Sequence, residues 1–347
     1  MSDAIVIGGG QAGLAATHAL LARGLNPVLL EAGEEPVGSW PRYYDSLHLF
    51  SPARYSTLPG LAFPGDPDRY PHRDEVVDYL RAFAESLDAD IRTGHRVTDV
   101  TNDGEVFTVQ APGEQPLSAP IVIAATGAFS SPHRPELPGL EHFSGRVLHS
   151  SDYHDPAPLA GQRVVVVGAA NSAIQIAVDL APHARTTLAT RAPIRYTAQR
   201  PLGRDAHFWS VISGLDALPI GPWLRTPPSL PVLDTGTYQA AIDAGRPDQR
   251  RMFTAIEGST VTWSDGSADE VDTIVLATGF RPGLPYLAGL GASDRAGAPR
   301  QRRGLSTTHP GLGYVGLEWQ RSFSSATIRG VGRDAAYVAR RLARARG

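Results

Sequence analysis

Gly8, Gly10 and Gly13 stand in a GxGxxG arrangement within AIVIGGGQAGLA at 4–15, and Gly168 opens a second glycine turn, VVVVGAANSA, at 164–173. Such a turn brings the backbone N–H groups of a helix start against a pyrophosphate, provided no side chain blocks the approach. The first turn meets that need fully, with Gln11 and Ala12 between its last two glycines. In the second, Ala170 takes the middle glycine position and Ala173 the last, so Asn171 and Ser172 are the polar groups at that helix start. One such loop is a weak signal. Two of them, each between a strand and a helix, indicate two dinucleotides held at once and redox chemistry between a flavin and a nicotinamide.

The residues beyond each turn sort the two ligands. Glu31, 18 positions after Gly13, can accept from both ribose hydroxyls and repels a 2′-phosphate, so the first site suits FAD or NAD. Arg191, 23 positions after Gly168 and preceded by Thr190, offers a guanidinium that matches a 2′-phosphate bidentately. NADPH is the expected second ligand, with NADH as the alternative.

The elements that must place these groups are legible as short apolar runs. Strands are expected at 4–7, 27–30, 121–124, 163–167, 186–189 and 274–282, with helices at 12–23 and 172–180. Val76, Val77, Leu80, Phe83 and Leu87 make one face of a helix over 73–87, with Asp74 as its expected N-cap. Asn102-Asp103-Gly104 predicts a hairpin between strands at 97–101 and 105–110. The last segment reads as a strand at 314–317 and a helix at 326–343. From 192 to about 260 the βαβ rhythm is lost, and the Pro-rich stretch with Phe208, Trp209 and Trp223 reads as a lid-like insertion with an apolar pocket wall. The expected organisation is an FAD-binding domain at 1–155 and 280–347, with an NADPH-binding domain at 156–279 inserted in it.

Composition narrows the chemistry. The chain has 347 residues, 42% of them hydrophobic, and a formal net charge of −3, which gives no basic field for nucleic acid. It contains no Cys, so disulfides, thiolate metal sites and a redox-active CxxC pair are excluded. It contains no Lys either, which removes a Schiff-base lysine and a Walker-type phosphate lysine. No metal site is expected. The first strand starts too near the N-terminus for a removable signal peptide, and no apolar run reaches the roughly 20 residues of a bilayer span, so a cytoplasmic location is expected. His149, in FSGRVLHSSDY at 143–153, lies between the two expected domains. It is read either as a structural joint or as a contact to the nicotinamide cofactor.

Together these residues resemble the flavin-containing monooxygenases, most closely their small single-chain bacterial members. Phe143, Gly145, His149 and Tyr153 meet the family pattern FxGxxxHxxx(Y/F). PVGSW at 36–40 is similar to the family's GGxW flavin segment, with Val37 in place of one glycine. The ATG endings at 125–127 and 277–279 match the family's interdomain crossings, and GYVGL at 313–317 and ATIRGVGR at 326–333 resemble the segments that close over the flavin. The resemblance implies an α/β fold of two Rossmann-like dinucleotide-binding domains, the NADPH domain inserted into the FAD domain.

For FAD, it implies contacts from Gly8, Gly10, Gln11, Ala12, Gly13 and Glu31, then from Gly38, Ser39, Trp40 and His48, with Val97 at the adenine and Gly127 at the crossing. For NADPH, it implies Gly168, Asn171, Ser172, Thr190 and Arg191. The implied reaction is hydride transfer from NADPH to FAD, followed by delivery of one atom of dioxygen through a C4a-hydroperoxyflavin to a soft nucleophile, a sulfide or an amine. Larger members carry an Asn near C4a; along YYDSLHLFSP at 43–52 that position falls on Phe50, or on Ser51 if the register shifts by one, and these are the candidate catalytic positions. Phe50 has no hydrogen-bonding group, so more loss of reducing equivalents as peroxide is expected. An alternative reading is an NAD(P)H-dependent flavoprotein reductase or oxidase that passes electrons to a quinone, a carrier or dioxygen. A third is a flavin-binding sensor without turnover. The substrate is a small molecule of open identity, and the oligomeric state is open, a homodimer being one alternative.

Overall fold

A computed structural model describes residues 2–224, 228 and 231–345. The chain begins β1 (Ala4–Ile7), α1 (Gln11–Leu21), β2 (Pro27–Leu30), α2 (Arg73–Glu85) and β3 (Asp90–Arg92). An antiparallel meander follows, β4 (Asp99–Asn102), β5 (Phe107–Gln110) and β6 (Leu117–Ala119), and leads into β7 (Val122–Ala124). The four strands β7, β1, β2 and β3 pair in parallel. The C-terminal β18 (Gln301–Arg302), β19 (Leu305–Ser306) and β20 (Leu312–Tyr314) extend this sheet beyond β7, and α6 (Ile328–Arg344) completes the chain.

The period of two along β1 divides the core. Ala4 and Val6 pack with Leu14 and Leu20 of α1 and with Val331, Ala335 and Val338 of α6. Ile5 and Ile7 pack on the other face with Val100, Phe107 and Val109 of the meander.

The second half repeats this plan. It runs β8 (Arg146–His149), β9 (Arg163–Val167), α3 (Asn171–Leu180), β10 (Arg185–Thr190), β11 (Tyr196–Ala198), α4 (Ala206–Ile212), β12 (Val232–Asp234), α5 (Thr237–Asp243) and β13 (Asp248–Arg251). A second meander, β14 (Ala255–Glu257), β15 (Thr260–Thr262) and β16 (Ala268–Glu270), leads into β17 (Thr273–Leu276). The parallel sheet has the order β13-β10-β9-β17-β8. Val164 and Val166 of β9 face Ile174 and Ala177 of α3, while Val165 and Val167 face Val261 and Trp263 of the meander. The fold is therefore α/β with two dinucleotide-type units, each a parallel sheet covered by helix on one face and by a three-stranded meander on the other.

Element boundaries differ from the sequence expectation in instructive ways. The N-cap of α2 is His72, not Asp74: its Nδ1 accepts from Asp74 N at 3.3 Å, while Glu75 Oε2 accepts from His72 N at 2.8 Å. The hairpin strands start about two residues later than expected, and the strand expected at 314–317 ends at Tyr314. The segment at 192–260 is not uniform, because residues 248–251 form the edge strand β13. That strand reads DQRR, and an edge strand with no apolar residue gives no periodic signal. Residues 225–227 and 229–230 of this segment lie outside the described residues.

The FxGxxxHxxx(Y/F) residues are joints of the second unit. A Cβ on Gly145 would lie 2.5 Å from both Asp272 O and the Phe143 ring, so only glycine fits there. Tyr153 OH donates to Asp179 Oδ2 of α3 at 2.6 Å. His149 is fully buried at the end of β8; its Nε2 donates to Gly279 O at 3.0 Å, and its Nδ1 accepts from Ser151 N at 3.2 Å. Both ring nitrogens are thus used with the imidazole neutral, and His149 pins the second ATG crossing.

Burial, reinforced by Arg134 and opposed by the bond to Gly279, holds the imidazole below its ordinary pKa. The unfolded chain then takes up a proton below about pH 6.5 that the folded chain refuses, so stability drops as pH falls through that point. Replacing His149 by Phe is expected to cost about 1–3 kcal/mol at pH 8, because Gly279 O and Ser151 N lose their partner. In chemical denaturation the gap between wild type and His149→Phe should narrow as pH is lowered from 7 to 5. A gap independent of pH would refute the neutral buried joint.

Candidate functional site

The first glycine turn is built by close approach. A Cβ on Gly13 would lie 1.7 Å from Gly8 O, so α1 packs directly on the turn that precedes it. Gly8 has φ +105°, and its Cβ would lie 2.7 Å from Ala125 O at the end of β7. Gly10 is the N-cap of α1 and supplies no side-chain cap. Ala170, exposed at the start of α3, supplies none either. The other helices are served: His72 caps α2, Asp205 caps α4, Thr327 caps α6, and Asp234 accepts from Tyr238 N and Gln239 N at the start of α5. The two helices that follow the glycine turns therefore start with unmet backbone donors, the condition for holding a pyrophosphate.

Around the first turn, three segments converge. Gln11 Oε1 accepts from Trp40 Nε1 at 2.7 Å, and Gln11 Nε2 donates to Ala326 O at 3.5 Å, so the start of α6 lies beside the start of α1. Gly38 (φ +62°) crosses so closely that its Cβ would lie 2.7 Å from Gly10 Cα. Ala12 is buried, and a Cβ on Gly316 would come within 2.7 Å of it. Ser39 Oγ accepts from Arg42 Nη2 at 2.9 Å. Glu31 is buried at the end of β2, with Oε2 accepting from Gly9 N at 2.5 Å and Oε1 from Gly33 N at 2.7 Å. Val97 is half-buried against the meander side of the sheet. Gly127, with φ +64°, has open space where its side chain would be.

Around the second turn, a Cβ on Gly168 would meet Ala277 O at 2.4 Å, the counterpart of the Gly8–Ala125 approach. Asn171 and Ser172 are half-exposed on the first turn of α3. Thr190 is buried, and its Oγ1 accepts from Gln249 Nε2 at 3.4 Å. Arg191 is exposed, with no ion pair among the described residues. Tyr44, from the loop after Trp40, is buried on α3 and donates to Gln175 Oε1 at 2.6 Å. Burial drives its hydroxyl far above the ordinary range.

The two units are laced at their crossings. His133 N donates to Gly279 O at 2.9 Å, Arg281 N to Ser131 O at 2.9 Å, and Gly283 N to Gly127 O at 3.1 Å. Thr278 Oγ1 also donates to His133 O. A series of rings runs along this seam: Trp40 to Tyr43 at 5.6 Å, Tyr43 to Phe129 at 4.6 Å, Phe129 to Phe280 at 5.3 Å and Phe280 to His149 at 4.9 Å. Burial, opposed by nearby Arg42, raises the Tyr43 hydroxyl to about 12. Phe280 follows the second ATG ending directly and Phe129 follows the first after Ala128, a position in the sequence that could have singled them out.

The candidate catalytic positions lie on the loop after Trp40. Ser51 is buried with its Oγ 2.8 Å from Ser56 Oγ, inside the loop. Phe50 is 38% exposed, and its ring lies nearly parallel to that of His207 at 5.9 Å. His48 is exposed, edge-on to His72 at 5.0 Å. The sequence reading did not single out His207 or Asp205, although Asp205 just before an apolar run is an N-cap signal. The expected pocket wall is corrected at Trp223, which is 68% exposed with Arg302 beside its ring, and Trp209 likewise reaches the surface.

Among the described residues no cluster of side chains could hold a metal ion, and no helix is long and apolar enough to cross a membrane. Residues 5–202 match the family model described as pyridine nucleotide-disulphide oxidoreductase. The chain is 32% identical over 342 residues to an uncharacterized CzcO-like oxidoreductase of Geobacillus kaustophilus, covering 97% of each. It is 30% identical over 319 residues to indole-3-pyruvate monooxygenase YUCCA1 of Oryza sativa subsp. japonica, covering 81% of this chain and 77% of that one. A solved flavin-containing monooxygenase from Stenotrophomonas maltophilia superposes with a TM-score of 0.87 at 32% identity, covering 100% of this chain and 99% of that one. With likeness along its full length and a glycine turn before an uncapped helix in each half, the chain belongs to the flavin monooxygenase family, a group of FAD- and NADPH-dependent oxidoreductases.

Proposed function

We propose that the chain is an NADPH-dependent monooxygenase that oxygenates a soft nucleophile, a sulfide or an amine. The observation that carries this reading is the pair of uncapped helix starts, α1 and α3, each behind a glycine turn. FAD would lie with its pyrophosphate on Gly8, Gly10, Gln11, Ala12 and Gly13 and its ribose on the remaining lone pairs of Glu31. Gly38, Ser39, Trp40 and His48 would flank it, with Val97 at the adenine and Gly127 at the crossing. NADPH would lie on Gly168, Asn171 and Ser172, with its 2′-phosphate between Thr190 and Arg191. The uncapped N–H groups at both helix starts and the open space at Gly127 support both placements.

Bound FAD supplies hydride acceptance and oxygen activation. The protein supplies position and dryness. The hydrogen bond from Gln11 to Ala326 sets the positive end of α6 next to the first site, where it favours negative charge on a reduced ring. Phe50, at the position the family resemblance assigns to the reacting edge, carries no hydrogen-bond donor on its side chain. That observation favours a second reading, an NADPH oxidase or reductase that hands electrons to dioxygen, a quinone or a carrier. Despite the name of the matching family model, a cysteine-based disulfide step is excluded, since the chain has no Cys.

Anaerobic mixing with NADPH should bleach the bound flavin, and admitting oxygen with a simple thioether should yield sulfoxide. Bleaching with all equivalents recovered as hydrogen peroxide, whatever the acceptor, would favour the second reading. A flavin that NADPH fails to bleach would refute both. Replacing Phe50 by Asn should raise the share of NADPH recovered as oxygenated product several-fold, in the range of one charge-free hydrogen bond, about 0.5–1.5 kcal/mol; an unchanged share would detach Phe50 from the chemistry. Replacing Arg191 by Ala should raise KM for NADPH roughly 10- to 100-fold while changing KM for NADH less than about twofold. Equal effects on both would remove Arg191 from the 2′-phosphate.

A further inference from the structure

Asp205 and His207, at the start of α4, link the 192–260 segment to the loop that carries Phe50. His207 is buried beside two rings, Phe50 at 5.9 Å and Tyr55 at 6.3 Å, tilted from it by 24° and 26°. Its Nδ1 donates to Asp205 Oδ1 at 2.7 Å, which fixes the ring plane. The other oxygen of Asp205 accepts from Tyr70 OH at 2.6 Å and from Gln199 Nε2 at 2.8 Å. Gln199 Nε2 donates also to Phe50 O at 3.1 Å, so the backbone of Phe50 is held as well as its ring. Burial alone would raise the Asp205 carboxyl, but the hydrogen bonds from His207, Tyr70 and Gln199 outweigh it and hold it at about 2. The carboxylate stays charged and every donor around it stays engaged.

The same segment has a second anchor. Asp216 is buried, and its Oδ2 accepts from Arg329 Nε at 3.2 Å and Arg333 Nη2 at 3.0 Å, both on α6. Ser324 Oγ donates to Asp216 O at 2.8 Å. One carboxylate thus ties the segment to the Phe50 loop and the other ties it to α6.

We propose that the Asp205–His207 pair is a positioning device for Phe50, seating the inserted segment on the loop and holding the Phe50 ring in a single place. Its chemical consequence rests on the reading above that Phe50 stands beside the reacting edge of the flavin. A fixed apolar ring there excludes water. A released ring admits water and turns reducing equivalents toward peroxide.

The test has two arms on the purified full chain. Hydrogen exchange should speed up about tenfold or more for amides at 50–56 and 199–212 in His207→Ala and Asp205→Asn, and stay as in wild type for β1 and β9. His207→Phe, which keeps a ring against Phe50, should recover part of the protection at 50–56. In the second arm, His207→Ala should raise the peroxide share of NADPH consumption by about twofold or more, leave the anaerobic bleaching rate within about twofold, and add nothing in a Phe50→Ala background. Wild-type exchange at 50–56 in both variants would overturn the proposal, and so would a peroxide shift that persists undiminished without Phe50. A flavin that NADPH does not bleach would sink the functional reading instead, and the exchange arm would still decide the positioning role.

Discussion

Backbone N–H groups at a helix start must find an acceptor, and in α1 and α3 no side chain provides one. Everything around these two helices keeps that condition in place. Gly13 lets α1 sit on its own turn, Gly8 and Gly168 let the turns pass the ends of β7 and β17, and Gly38 lets a third segment cross in front of Gly10. Each approach is closer than a Cβ allows. Glu31 accepts from Gly9 N and Gly33 N and so shapes the mouth of the first turn, with lone pairs left on its carboxylate oxygens.

The duplication of this plan explains why the chain is built as it is. Each half has a parallel sheet, a helix pack on one face and an antiparallel meander on the other. What differs is the seam. Hydrogen bonds between 127–133 and 279–283, together with the rings of Tyr43, Phe129 and Phe280, hold the halves in one orientation. His149 and Tyr153 act inside the second half and serve that orientation from behind, through Gly279 and Asp179. Their conspicuous pattern in the sequence reflects packing, and neither sits at a glycine turn.

Much of this was legible because the central strands are short and buried, and β1 and β9 run straight into glycine. β1, β2 and β9 were read to the residue, since AIVI, PVLL and RVVVV are bounded by turn residues and pack on both faces. The edge strand β13 was missed because DQRR buries no side chain. The cap of α2 was misplaced because histidine is an unusual cap that only the fold reveals. Spacing alone draws attention to Glu31 and Arg191, which the structure puts just after β2 and β10. The Asp205–His207 pair could not be found that way, because its meaning comes from Phe50, Tyr55 and Tyr70, which lie far from the pair in sequence, Tyr70 by 135 residues from Asp205.

Two pyrophosphates on two uncapped helix starts is the claim from which the chemistry follows. The most direct measurement is the electron density of crystals grown with FAD and NADP+. One pyrophosphate is expected against the first turn of α1 and the other against the first turn of α3, with the 2′-phosphate at Arg191. Density that leaves either helix start bare while the nucleotide binds elsewhere would contradict the assignment.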